Sequence, residues 1–342
     1  MSPLVAFIKL IRLPNLLIIV LTQYAIRFAI MLPILKSTTT EIEGFDLVLQ
    51  MAELDFFLLS LSTVMVAAAG YIINDYFDVK VDRVNRPNSI IVGKYIKRRV
   101  CMGAHIVIST IAILMGIYLA YKLGHWNLAL IQILSVGALW YYSTMFKKQV
   151  LIGNVIVAIL AALVPFVAGL YELILLHQNA DVLLNKLLFY LEADIPTQGV
   201  RTIYYEVLSN LMKWVLGFSL FAFISTIIRE IVKDIEDYEG DKKYWSNTLA
   251  VVYGKRKAVK VAQLFILIMM TLTAYLQYLQ ILGKDVGSFI YFLMLVQIPM
   301  VFIFYKLQLA NQKDDYSRIS TYIKLVMLTG IVYAFYFYYT SF

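Results

Sequence analysis

Nine long apolar runs decide what this chain can fold into. They lie roughly at Leu13–Leu35, Phe56–Ile73, Val100–Tyr121, Leu128–Phe146, Val150–Tyr171, Leu211–Ile228, Val261–Leu282, Val286–Tyr305 and Ser320–Tyr339. Each is close to the roughly 20 apolar residues that a helix needs to cross the hydrocarbon core of a bilayer. Membrane strands would read as alternating segments of about ten residues, whereas these runs are continuous. A lipid-embedded backbone must satisfy its polar groups within its own segment. The fold class expected is therefore all-α: a multi-pass membrane protein with nine transmembrane helices, forming one domain over residues 1–342. Composition agrees, with 61% of residues hydrophobic and 15% charged. Soluble domains carry about 45–50% apolar and about 25% charged residues.

The net charge of +8 is not a nucleic-acid signature here, because the basic residues are distributed by side of the membrane. Lys and Arg crowd alternate connections, as at Arg83–Arg99, Lys147–Lys148 and Arg229–Lys260, while the opposite connections hold few, such as Lys36, Lys122 and Lys284. The positive-inside rule then places the N-terminus and the basic connections in the cytoplasm and, with nine spans, the C-terminus outside. Arg27 falls within the first span, where it either snorkels outward or pairs with an acidic loop residue. Cys101 has no second cysteine to pair with, and His105, His125 and His177 are too scattered to be metal ligands. One outer connection, about 172–208, is long, and its Val182–Leu191 stretch reads as an interfacial helix. Nothing points to a protein partner.

Two cytoplasmic connections carry the chemistry. The first begins Asn74-Asp75-Tyr76-Phe77-Asp78 and reaches Asp82. On a helix that continues past the membrane surface, residues four apart advance about 40°. Asn74, Asp78 and Asp82 then share a stripe, and Asp75 points elsewhere. The second begins at Arg229-Glu230 and runs to Asp241. Glu230, Asp234, Asp237 and Asp241 fall within about 60° on a continuous helix, with Gly240 expected to end it.

A single charged stretch after a span is ordinarily a solvated loop; two acidic stripes at cytoplasmic helix ends are a different matter. Grouped carboxylates repel unless a cation separates them. Mg2+ suits such groups because it binds a few carboxylates together with substrate phosphate oxygens. Two clusters facing each other would hold a diphosphate through bridging metals, and nearby cations would neutralise the leaving group. Asp78, Asp82, Asp234 and Asp237 are the candidate catalytic carboxylates, with Asn74 and Asp241 as further metal ligands. Arg86, Lys94, Lys148 and Lys233 are the candidate phosphate contacts. A transporter would place its charges near the bilayer midplane, and here they lie at the rim.

The paired motifs resemble those of the UbiA-type intramembrane prenyltransferase superfamily. Its first motif, N-D-x-x-D-x-x-x-D, is matched by Asn74, Asp75, Asp78 and Asp82, and its second, DxxD or DxxxD, by Asp234, Asp237 and Asp241. Arg12-Leu13-Pro14-Asn15, Gly153-Asn154 and Ser246-Asn247-Thr248 fit as well. The resemblance implies a helical bundle around a central cavity and transfer of a prenyl group from an allylic prenyl diphosphate to a lipophilic acceptor. It implies Mg2+ as cofactor, the two motifs as its site, and Asn15 as a polar contact in the cavity. The wording from Arg229 to Asp241, R-E-x-x-K-D-x-E-D-x-x-G-D, is most similar to digeranylgeranylglyceryl-phosphate synthase-like members, which act on a geranylgeranylglyceryl phosphate. Members acting on 4-hydroxybenzoate and the haem-modifying ones carry R-T-x-x-R-P after the first motif; only Arg86-Pro87 remains here. An aromatic acceptor of quinone biosynthesis is the alternative, and a membrane transporter a more distant one.

Overall fold

The computed structural model describes residues 1–39, 46–191 and 197–341. No β-strand forms among them. A short amphipathic α1 (Pro3–Leu10) precedes α2 (Leu13–Tyr24), which passes through a π-helical stretch at Ala25–Met31 into α3 (Leu32–Thr39). Then come α4 (Glu53–Asn85), α5 (Arg98–Lys122), α6 (Ala129–Thr144), α7 (Ile152–Gln178), α8 (Ala180–Leu191) and α9 (Thr197–Glu236). Two short helices, α10 (Tyr238–Lys243) and α11 (Leu249–Tyr253), lead to α12 (Lys255–Leu282). The chain ends with α13 (Val286–Phe292), a second π-helical stretch at Leu293–Gln297, α14 (Ile298–Leu309) and α15 (Lys313–Thr340).

Among the described residues eight helices are long and apolar enough to cross a membrane, one fewer than expected. The exception is the fourth run. It yields only the 16 residues of α6, about 24 Å at 1.5 Å per residue, against a hydrocarbon core of about 30 Å. Tight 3-10 turns at Trp126–Leu128 and Phe146–Lys148 take up the rest of that run.

α4 and α9 position the site because both overshoot the membrane. With 33 and 40 residues they reach about 50 and 60 Å, far beyond the core. Their acidic ends therefore stand clear of the lipid as continuous helix. α9 packs along α7, and α4 along α5. Close approach in the first pair depends on Gly169, where a Cβ would lie 2.2 Å from Val215, a small residue serving helix contact inside a membrane.

Among its described residues the outer connection is mostly helical. α7 runs on to Gln178, α8 follows at Ala180, and α9 begins at Thr197. The helix expected at Val182–Leu191 is present, but it seats Leu183, Leu184 and Leu187 in the apolar core shared with α7 and α9.

Arg27 is 1% exposed and so does not snorkel. Its guanidinium donates to Glu172 Oε2 at 3.1 Å, Glu53 Oε1 at 3.0 Å and the Met51 carbonyl at 2.5 Å. The Phe56 ring lies 4.4 Å from Arg27 Cζ. Glu172 also accepts from the Gln50 and Met51 amides. A buried charge persists only when paired and hydrogen-bonded, and this network fastens the 46–52 segment to three helices.

Candidate active site

A cavity of about 1060 Å³ opens among α2, α4, α6, α7, α9 and α15. Its mouth is lined by Asn74, Asp78 and Asp82 from α4 and by Asp234, Asp237 and Asp241 from the α9–α10 corner. Both acidic motifs thus face one space, as the continuous-helix reading requires for the first of them. Deeper, the walls turn apolar, through Val66, Leu139, Leu160 and Met327.

Asp75 departs from expectation. It also lines the cavity and accepts from Arg12 Nη2 at 2.8 Å. Arg12 stands at the α1–α2 junction with φ 54°, and its guanidinium carbon lies 4.8 Å from the centre of the Tyr71 ring. Burial works against the charge of Arg12, but Asp75 and Tyr71 outweigh it and raise its pKa. Asn15 is in the cavity as expected and donates to the Tyr71 hydroxyl at 3.4 Å.

The second motif bends earlier than expected. α9 ends at Glu236, Asp237 turns the chain, and Gly240 lies inside α10. Gly240 is needed for contact, not for termination. Its amide donates to Asn85 Oδ1 at 3.0 Å, Asn85 Nδ2 donates to the Asp237 carbonyl at 3.1 Å, and a Cβ at Gly240 would lie 2.4 Å from the Asn85 side chain. This clasp joins the two motifs. The bend brings Asp241 back, buried, to the cavity wall. Burial pushes its carboxyl up to about 7, opposed by Lys147 and reinforced by Asp237, Asp78 and Asp82.

The cations of the site are only partly those expected. Arg86 donates to Asp237 Oδ2 at 2.9 Å, and Lys233 lies 3.5 Å from Glu230. Lys94 and Lys148 do not line the cavity. Lys94 sits in the turn after Ile91 with Nζ 5.4 Å from the Tyr95 ring, and Lys148 offers its carbonyl to the Asn247 amide at 2.9 Å. Lys147 enters instead, donating to Asn74 Oδ1 at 3.3 Å and to Asp78. Burial disfavours its charge, but Asp78, Tyr142 and Asp82 outweigh that and raise its pKa. Arg229 and Lys324 line the same cavity and were not anticipated. The basic pair Lys147-Lys148 carried the signal; only the 3-10 turn decides which member faces inward. Asn154, noted with Gly153, donates to Asp234 Oδ2 at 2.8 Å.

The donor set fits Mg2+. The ammonium of Lys147 stands between Asn74 and Asp78, a place already suited to a cation. Asp237 Oδ1 is buried without a hydrogen-bond partner. Among the described residues no three acidic or sulfur or imidazole groups converge as a finished metal cage.

The model of the UbiA prenyltransferase family matches residues 49–329. The chain is 33% identical to a digeranylgeranylglyceryl phosphate synthase of Methanothermobacter thermautotrophicus, covering 82% of this chain and 85% of that one. To the synthase of the same name from Methanosphaera stadtmanae it is 30% identical, over 80% and 84%. A UbiA homolog from Archaeoglobus fulgidus, bound to GPP and Mg2+, shares the fold with a TM-score of 0.53 at 17% identity, over 97% of this chain and 99% of that one.

Proposed function

Because the chain belongs to the UbiA prenyltransferase family, we propose that it transfers a geranylgeranyl group from its diphosphate to a geranylgeranylglyceryl phosphate. The single observation that carries this reading is the cavity itself, acidic at the mouth and apolar below. Along α4 it extends from Asp78 to Thr63, 15 residues, or about 22 Å. A geranylgeranyl chain has about sixteen carbons along its backbone and reaches roughly 20 Å at about 1.5 Å per bond allowing for zigzag. The two synthase-named relatives, each matched over most of both chains, support the choice of acceptor.

Asn74, Asp78 and Asp82 on one side, with Asp234, Asp237 and Asp241 on the other, would hold the Mg2+. When bound, the ion would neutralise negative charge on the diphosphate. The chain's own residues do the remainder. Asn154 holds Asp234 in place through its amide. The Asn85–Gly240 clasp fixes the distance between the motifs. Arg86 and Lys147 are already at the carboxylates, and their N–H groups donate to phosphate oxygens as negative charge grows on the leaving diphosphate. The faces of Tyr71 and Tyr142, both in the cavity wall, stabilise an allylic cation. The walls below Asn74 exclude water from it. In this reading the mouth faces the cytoplasm, with the N-terminus on that side.

Purified protein with labelled geranylgeranyl diphosphate and a panel of acceptors tests the proposal. Product with the glycerol-phosphate lipid, lost in Asp78→Ala and in Asp234→Ala, is expected. Product with 4-hydroxybenzoate or a naphthoate alone would reject it.

A further inference from the structure

One corner of the cavity is basic, and the carboxylate mouth does not account for it. Arg229 on α9 and Lys324 on α15 line the cavity together with Arg12 and Lys233. Only two carboxylates attend these four cations. Asp75 accepts from Arg12 at 2.8 Å, while Glu230 serves Arg229 at 2.7 Å and Lys233 at 3.5 Å. Arg229 Nε is buried with no hydrogen-bond partner. Lys324 makes no ion pair with any carboxylate among the described residues, although it sits within a membrane-spanning helix. Cations gathered like this inside a membrane helix bundle mark a place for an anion.

The corner lies at the inner edge of the metal motifs. Asn85 marks the level of the mouth, since it bonds α10 and receives Lys313 Nζ on its carbonyl at 2.6 Å. From there Asp75 lies ten residues inward on α4, and Lys324 lies eleven residues inward of Lys313 on α15. Both steps are about 15 Å. Arg229 is eight residues inward of Asp237, about 12 Å. Arg12, Arg229 and Lys324 therefore share one level, that of Asn74 and Asp75 at the inner end of the first motif, above the apolar depth.

We propose that Arg229 and Lys324, with Arg12 and Lys233 beside them, form a second anion site that takes the phosphate monoester of the acceptor lipid, separate from the site of the donor diphosphate. The inference rests on the reading that the acceptor is a phosphate-bearing lipid. Four cations against two carboxylates leave two positive charges, and a phosphate monoester carries about −1.5 to −2 near neutral pH. In a glycerol phosphate the reacting hydroxyl is a carbon or two from the phosphate. Anchoring the phosphate at this level leaves that hydroxyl beside the first carbon of the donor, just inward of its diphosphate. Once the C–O bond to diphosphate has broken, the hydroxyl oxygen forms the new C–O bond to the first carbon of the allylic cation, and its proton passes to the released diphosphate.

The test is binding of geranylgeranylglyceryl phosphate and of its phosphate-free alcohol to the full chain in detergent, with EDTA present and no donor. The wild type is expected to prefer the phosphate form by about tenfold or more, the scale of a charge-assisted hydrogen bond. Lys324→Gln should lose most of that preference and Lys324→Arg keep it, with the KM for geranylgeranyl diphosphate unchanged in both. Equal affinity for the two lipids, or a rise in donor KM with acceptor binding intact, overturns the site. Tight, Lys324-dependent binding without any transfer to the bound lipid supports the site and rejects the acceptor named above.

Discussion

Lys147 holds Asp78 through its ammonium, although the two residues lie 69 positions apart and on different elements. The same ammonium reaches Asn74 Oδ1 at 3.3 Å, so the first motif carries a resident cation. A metal arriving at Asn74 and Asp78 must compete with that ammonium, which is then released to face the diphosphate. The prediction concerns affinity as well as rate. Lys147→Met should lower kcat by about 10²–10³, the scale of one preorganised donor on a developing anion. It should also enlarge the thermal shift produced by Mg2+, because the competitor is gone. An equal or smaller shift in Lys147→Met would show that the ammonium does not stand where the metal binds.

Stabilisation by metal follows from the same carboxylates. Asp78, Asp82, Asp234, Asp237 and Asp241 line one cavity, and a ligand that binds only the folded state stabilises it by mass action, about 2.7 kcal/mol at a hundred times its Kd. Mg2+ together with a non-hydrolysable prenyl diphosphate analogue should raise the melting temperature more than either alone, since each completes the shell of the other. Additive shifts would mean separate sites. Asp237→Asn and Asp82→Asn should each reduce the joint shift.

How much of this was legible in sequence depended on how far each feature reaches along the chain. Helical spans are local, so most runs were bounded within a few residues. The outer half of α9 was not, because Arg201 and Lys213 interrupt the apolar run, while Val200, Tyr204 and Leu208 pack into the protein core on one face. The stripe of Asn74, Asp78 and Asp82 depends only on helix geometry, and it holds. Asp75 was misplaced because its partner, Arg12, is 63 positions away. Gly240 was read by the commonest use of glycine near a helix end, whereas its actual neighbour, Asn85, belongs to another helix. The choice of Lys147 over Lys148 needed a turn that pattern alone does not orient.

The Asn85–Gly240 clasp makes a prediction with a built-in control. Gly240→Ala puts a Cβ 2.4 Å from Asn85, so α10 must move and Asp241 with it. Overpacking of this kind costs about 1–3 kcal/mol, and transfer activity should fall further than stability does. Shortening the opposing side chain, in Asn85→Gly with Gly240→Ala, should restore stability in part while leaving the motifs loosely joined. If Gly240→Ala alone behaves as wild type in melting temperature and turnover, the clasp does not set the spacing of the motifs.

Far from the site, the Arg27 network separates stability from catalysis. Arg27 and Glu172 are both 1% exposed and 3.1 Å apart, with Glu53 and the 46–52 backbone completing the shell. Removing one partner of a buried pair leaves the other charge uncompensated and costs about 3–5 kcal/mol. Arg27→Met should therefore lower the melting temperature in detergent sharply, and Glu172→Gln less so, since the amide can still accept from Arg27 and the Met51 amide. Arg27→Met with Glu172→Leu removes both charges and should recover much of the loss, although the Gln50 and Met51 amides then lose their acceptor. In every variant the folded fraction should transfer prenyl groups with an unchanged KM for the donor, because the network lies at the opposite end of α4 from Asp78. A changed donor KM in Arg27→Met would mean that the outer end of the bundle governs the shape of the cavity.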